Sequence, residues 1–85
     1  MKTLFEALSE DAQTLGLWII GIGEALTEMN EQKQDYYITK HEAIFYHVLP
    51  TWARVKLAFA ELIDGGWLVE SESPYHPKTN FYSLA

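Results

Sequence analysis

Apolar residues recur at alternating intervals of four and three along the first third of the chain, at Leu8, Ala12, Leu15, Ile19, Ile22, Leu26 and Met29. This spacing places them on one face of a helix, and it predicts a long helix over residues 10–31. Ser9 is the expected N-cap, because Glu10 and Asp11 follow it where the helix dipole favours negative charge.

Three bulky residues of this helix, Leu17, Trp18 and Ile20, lie off the apolar face. Left in water, they would form a larger apolar patch than monomers usually carry. Gly16, Ile20, Gly23 and Thr27 share one helical face, where the missing side chains of the glycines would let a second backbone approach. A two-fold helix pairing is the commonest way to cover such a surface. We therefore predict that residues 1–31 form a homodimer interface through the three bulky residues and the two glycines.

Two shorter helices and a tight turn are predicted in the middle of the chain. Thr39 and Glu42 have the spacing of a capping box, which opens a short helix ending near His47. Pro50 disfavours helix in the residue before it, so the chain turns there. A third helix then runs to Asp64. Its predicted buried positions are Val55, Phe59 and Leu62.

The end of the chain predicts a β-hairpin. Gly65 is the expected glycine at the end of the third helix. Residues 67–70 and 81–84 are rich in aromatic and aliphatic side chains, as strands are. Residues 71–80 contain two prolines and form the connecting loop. Residues 36–38 (Tyr-Tyr-Ile) predict a further short strand before the second helix.

This order of elements resembles the winged helix-turn-helix superfamily. The similarity runs from Tyr36 to Leu84, and its most telling parts are residues 62–69 (Leu-Ile-Asp-Gly-Gly-Trp-Leu-Val) and 81–84 (Phe-Tyr-Ser-Leu). The resemblance implies an α+β fold, mainly helical, with a long N-terminal helix and a C-terminal two-stranded wing. It also implies one winged-helix domain over residues 1–85, in which 36–85 form the helix-turn-helix and the wing.

Duplex DNA binding by a small regulator is the function that the resemblance implies, with the third helix in the major groove and the wing on the backbone. Arg54 suits a bidentate contact to guanine, and Lys56 suits a phosphate. Lys78 is the candidate cation of the wing. The remaining candidate contacts are Thr51 and Trp52 at the start of the helix and His76, Thr79 and Asn80 in the wing.

Composition limits the number of domains and the choice of partners. A chain of 85 residues has room for one hydrophobic core, and an apolar fraction of 48% excludes an intrinsically disordered chain. Twelve acidic residues against six basic ones give a net charge of −6, which repels a polyanion on average. Glu70 and Glu72 stand where DNA-binding wings of the superfamily usually carry Arg or Lys.

An acidic protein-interaction module on the same fold is therefore the alternative function. One example is a phage or mobile-element inhibitor of a host protein. In this case the apolar Leu57, at the centre of the outward face of the third helix, would contact the partner in place of Arg54. The sequence leaves both alternatives open.

Enzymatic and metal chemistry have little basis in the sequence. Cysteine is absent, which excludes a disulfide scaffold, a Cys-type zinc site and a thiol nucleophile. His41 and His47 are six residues apart, a spacing that suits no metal pair on a helix, so we expect no metal, no cofactor and no enzyme activity. The most apolar run, residues 15–22, is far shorter than the roughly twenty residues of a membrane span. With no visible targeting segment, we expect a cytoplasmic protein without a membrane partner.

Overall fold

The computed structural model describes residues 2–30, 36–72 and 80–85, which form three α-helices, a short 3-10 turn and a two-stranded antiparallel sheet. The fold is therefore α+β. The elements in chain order are the 3-10 turn Phe5–Ala7, α1 Glu10–Asn30, α2 Lys40–Phe45, α3 Trp52–Asp64, β1 Leu68–Glu72 and β2 Asn80–Leu84.

Helix α1 begins where its capping residue predicts. The backbone N–H of Ala12 donates to the Ser9 hydroxyl at 3.2 Å, which satisfies one of the free donors of the first turn. The predicted apolar face is buried at Leu8, Ala12, Leu15 and Ile19, but Met29 at its far end is 79% exposed. Helix α1 packs against α3, but α1 has 21 residues and α3 only 13. The last turns of α1 therefore extend beyond the end of α3.

Helix α2 has the predicted capping box. The N–H of Glu42 donates to the Thr39 hydroxyl at 3.3 Å, and the N–H of Thr39 donates to the Glu42 carboxylate at 3.1 Å. The helix ends at Phe45, two residues before the predicted end. His47 adopts a φ of 56°, in the left-handed region, and this conformation does not continue a right-handed helix.

Helix α3 follows the prediction at both ends. It ends at Asp64, and its predicted buried positions Val55, Phe59 and Leu62 are at most 1% exposed. The left-handed residue after it is Gly66, with a φ of 82°, rather than the predicted Gly65. The reason is that Gly65 is the C-cap residue, so the left-handed position of the Schellman motif falls on the next residue, Gly66. The two hydrogen bonds of the motif run from Gly66 N–H to the Ile63 carbonyl at 3.1 Å and from Trp67 N–H to the Leu62 carbonyl at 2.8 Å.

The C-terminal hairpin is confirmed. Strands β1 and β2 pair antiparallel, with Leu68 opposite Leu84. The predicted strand at 36–38 is reduced to one bridge, in which Ile38 and Tyr82 exchange two backbone hydrogen bonds of 2.8 Å. The side chains of Ile38 and Tyr82 are both buried, and the Tyr82 ring lies 4.8 Å from the Phe59 ring, measured between centroids. The hairpin thus closes the core against α3.

No helix within the described ranges combines the length and hydrophobicity that crossing a membrane requires.

Candidate interaction surface

The outward face of α3 has an apolar centre. Leu57 is 71% exposed and lies on the opposite side of the helix from the buried Phe59. Its exposed neighbours on this face are Ala53, Lys56, Ala60 and Asp64. One cation and one anion therefore border a surface of small apolar side chains, which differs from the cationic stripe that a DNA-binding helix needs.

Arg54 is paired with the start of α1. Its Nε and Nη2 donate to the two carboxylate oxygens of Asp11 at 2.8 and 2.6 Å. The hydrogen bonds from Arg54 lower the pKa of Asp11, and Asp11 in turn raises the pKa of Arg54. Both groups are therefore charged at neutral pH. A bidentate contact of Arg54 with guanine would first have to break this pair.

The other predicted DNA contacts on α3 have different environments. The Thr51 hydroxyl caps the helix by accepting from the Arg54 N–H at 3.3 Å. The Trp52 ring lies against the His41 ring of α2, with 5.1 Å between centroids. Lys56 is exposed and forms no ion pair within the part of the chain that the structure describes. Of the predicted contacts that the structure describes, it is the one best placed to meet a phosphate.

Most of the predicted wing contacts lie outside the residues that the structure describes. Lys78, His76 and Thr79 lie outside the described residues. Asn80 begins β2, and its side-chain amide donates to the Glu70 carboxylate on β1. This hydrogen bond joins the two strands across the hairpin and engages the Asn80 amide within the protein.

Five ring side chains in two groups of contacting rings lie on or beside the three helices, and together we call them the aromatic surface. In order along it, they are Trp52, His41, Phe45, Tyr46 and Trp18. His41 and Phe45 are one turn apart on α2, so their side chains are neighbours. The Tyr46 ring lies 5.0 Å from the Phe45 ring and 6.4 Å from the Trp18 ring, measured between centroids.

Much of the aromatic surface is open to solvent. Phe45 is 74% exposed, Tyr46 is 62% exposed and Trp52 is 42% exposed. No sequence pattern predicted this surface as a whole, although His41 and Phe45 are four residues apart in a predicted helix and therefore share a face. The contact of His41 with Trp52 and the contact of Tyr46 with Trp18 depend on how α2 packs against its neighbours, which no local sequence pattern shows.

Aromatic rings of the same chain fill the space beside the two glycines of the predicted dimer interface. Gly16 is buried, and a Cβ added there would lie 3.1 Å from the Phe5 ring. A Cβ added at Gly23 would lie 2.6 Å from the Tyr36 ring. The close approach predicted for a second backbone is thus made by side chains within the molecule.

The bulky residues predicted for the dimer interface do not share one surface. Leu17 is 61% exposed. Trp18 is half-buried and contacts Tyr46, whereas the half-buried Ile20 lines a cleft that also contains Leu84. Much of the apolar area that called for a second cover is thus covered within the chain. Dimerisation stays a prediction, and Leu17 is its most exposed candidate.

The described residues contain no group of three or more side chains that could hold a metal ion. Comparisons with protein families, with curated proteins and with solved structures found no match to this chain.

Proposed function

We propose that this chain is a winged helix-turn-helix domain that acts as a protein-interaction module, with the aromatic surface as its binding site. The observation that carries the proposal is the exposure of Phe45 and Tyr46 in contact with further rings. Aromatic residues are enriched at the centres of protein interfaces, and Trp and Tyr dominate their binding energy.

The conformation of the turn after α2 supports this assignment. His47 has a φ of 56°, which an L-residue with a side chain adopts only at a cost in free energy. Such conformations persist where the surrounding structure requires them, and they concentrate at functional sites. Here the left-handed residue directly follows two exposed rings, Phe45 and Tyr46. The left-handed turn therefore sets the direction of the backbone next to Phe45 and Tyr46.

Charge favours a protein partner over DNA. The chain has a net charge of −6, and nonspecific affinity for DNA depends on cations that neutralise phosphates. Arg54 is already paired with Asp11, and the centre of the α3 face is the apolar Leu57. The acidic interaction module is therefore the better of the two alternatives that the sequence left open.

The winged-helix part of the proposal is supported by the order and pairing of the elements. Helices α2 and α3 are joined by a short turn, and a hairpin follows α3 directly. The returning strand pairs on its second side with Ile38, which lies just before α2. Duplex DNA binding remains the second candidate function, because Lys56 stands exposed on α3 without an ion-pair partner among the described residues.

The experiment compares substitutions in the two candidate sites against both kinds of ligand. The full chain is used to capture proteins from an extract of the source cells, with quantification by mass spectrometry, and is titrated against mixed duplex DNA at low and moderate salt. Phe45→Ala and Tyr46→Ala are each expected to weaken the affinity for the captured protein by about tenfold or more. Arg54→Ala and Lys56→Ala are expected to leave it unchanged.

Leu4→Ala is the matched control, because Leu4 and Phe45 are both 74% exposed and Leu4 lies outside the aromatic surface. Leu57→Asp tests whether the contact extends onto α3. Unchanged capture by Phe45→Ala and Tyr46→Ala would contradict the proposal. Duplex binding by the wild type that Lys56→Ala abolishes would establish the second candidate in its place.

A further inference from the structure

We propose that a cleft beside the C-terminal half of α1 binds an organic cation that carries an alkyl or aryl body. The cleft has a volume of about 540 Å³ and lies between α1, Tyr36 and the end of β2. Ligand sites for small molecules typically measure about 300–1,000 Å³ and combine apolar walls with a few polar groups.

The walls of the cleft are apolar because the hydroxyl groups beside it already donate hydrogen bonds to backbone carbonyls of the same chain. Ile20, Leu84 and the Tyr36 ring line the cleft with apolar surface. The Tyr36 hydroxyl donates to the Ile19 carbonyl at 2.6 Å, and burial raises the pKa of this phenol, so the donor proton is kept. The Thr27 hydroxyl donates to the Gly23 carbonyl at 2.8 Å. A ligand therefore meets a hydrocarbon surface here.

Two carboxylates at the cleft give it a negative charge. Glu24 and Glu28 line the cleft, are exposed, and lie four residues apart on α1, where like charges repel each other. They also lie toward the C-terminal end of the helix, where the dipole disfavours anions. Helix α1 contains four acidic residues and no Lys or Arg. Within the described ranges, neither carboxylate has an ion-pair partner.

This charge pattern selects the class of occupant. An ammonium or guanidinium group beside Glu24 and Glu28 would relieve their mutual repulsion, while its apolar body fills the cleft against Ile20 and Leu84. Within the cleft itself, an α1 helix from a second copy is a poor occupant, because that helix carries four carboxylates and no Lys or Arg. Leu17, the candidate dimer contact, does not line the cleft. An organic anion is repelled by the same two groups.

The cleft is separate from the aromatic surface. Ile20 and Trp18 are two residues apart on α1, which places their side chains roughly 160° apart around the helix. No residue of the cleft belongs to the aromatic surface. The inference therefore goes beyond the proposed function and does not depend on it.

The test titrates the full chain with 4-phenylbutylamine, its neutral analogue 4-phenylbutanol and its anionic analogue 4-phenylbutyrate, followed by two-dimensional NMR. The amine is expected to shift the amide resonances of Ile20, Thr27 and Leu84 and to bind about fivefold tighter than the alcohol. Glu24→Gln/Glu28→Gln should remove this difference and leave the affinity for the alcohol unchanged.

The control variant is Glu6→Gln/Asp64→Asn, which changes the net charge by the same two units at exposed residues outside the cleft. It should keep the full preference for the amine. Equal affinity for the amine and the alcohol would overturn the proposal, as would an equal loss in the control variant. Spermidine is charged along its whole length and has no uncharged alkyl or aryl end, so the same shifts and affinity with spermidine would also overturn the proposal. If the amine shifts no amide resonance of the cleft residues, the proposal is also overturned.

Discussion

Arg54 and Asp11 join the first turns of α3 and α1 through two parallel hydrogen bonds of 2.8 and 2.6 Å, across 43 residues of sequence. A second contact lies two turns further along α3, where the Glu61 carboxylate accepts from the Ser9 N–H at 2.7 Å and from the Ser9 hydroxyl at 2.9 Å. Together these contacts hold the start of α1 along one side of α3. The side chain best suited to reading guanine thus has a structural role.

The Arg54–Asp11 pair predicts a pH-dependent contribution to stability. Arg54 lowers the pKa of Asp11 below its ordinary value of 3.8. A lowered carboxyl pKa in the folded state stabilises the protein above the ordinary pKa, and this contribution is lost as the pH falls through the lowered value. Arg54→Ala should therefore lower the free energy of unfolding at pH 7, and the difference from wild type should vanish in strong acid.

Urea unfolding at a series of pH values, followed by circular dichroism, measures this difference. Lys56→Ala is the matched control, because Lys56 is an exposed cation on the same helix without an ion pair among the described residues. In a double-mutant cycle, Asp11→Asn should have little further effect once Arg54 is removed. A loss of stability in Arg54→Ala that stays constant down to strong acid would show that the ion pair is not its source.

Two glycines of α1 predict opposite effects of the same substitution. In Gly21→Ala the new methyl group meets nothing within 4 Å, so the higher helix propensity of Ala should stabilise the protein by up to about 1 kcal/mol. In Gly23→Ala the methyl group would lie 2.6 Å from the Tyr36 ring, and we expect a net destabilisation of about 1–2 kcal/mol. Urea denaturation of both variants measures the contrast. A stabilised Gly23→Ala would show that Tyr36 does not pack on this helix.

The left-handed conformation of His47 predicts that glycine is preferred there. His47→Gly should stabilise the protein by up to about 1 kcal/mol, because glycine adopts a φ of 56° without a steric penalty. His47→Val should destabilise it, since a β-branched side chain fits this region worst. Thermal unfolding of the two variants provides the measurement. Equal melting temperatures would argue against a left-handed residue at this turn.

Dimerisation through α1 predicts that charge at Leu17 prevents association. Leu17 is 61% exposed, and a glutamate there would place a carboxylate in an apolar helix–helix contact. Sedimentation of the wild type at tens of micromolar should give twice the 9.8 kDa monomer mass, and Leu17→Glu should give the monomer. Leu57→Glu, the same change at an exposed leucine of α3 outside the predicted dimer interface, is the control. A monomeric wild type would rule the dimer out.

Local interactions made much of the fold predictable from the sequence. The capping box of Thr39 and Glu42 lies within four residues, so the sequence alone places the start of α2. The end of α3 at Asp64 follows from the glycines after it, which form hydrogen bonds within one turn. Where the hydrogen-bond partners of a residue are close to it in sequence, its local structure can be predicted from the sequence.

The candidate sites depended on contacts between distant residues. The sequence identified Arg54 as a cation on an outward face, but its partner Asp11 is reached only when α1 docks against α3. Gly23 was correctly placed on a helix, yet the fold decided that Tyr36 would fill the space beside it. The aromatic surface likewise joins Trp18 of α1 to Tyr46 at the end of α2. Sequence periodicity determines which residues share a helix face, whereas helix packing determines what that face meets, because packing is set by the whole core at once.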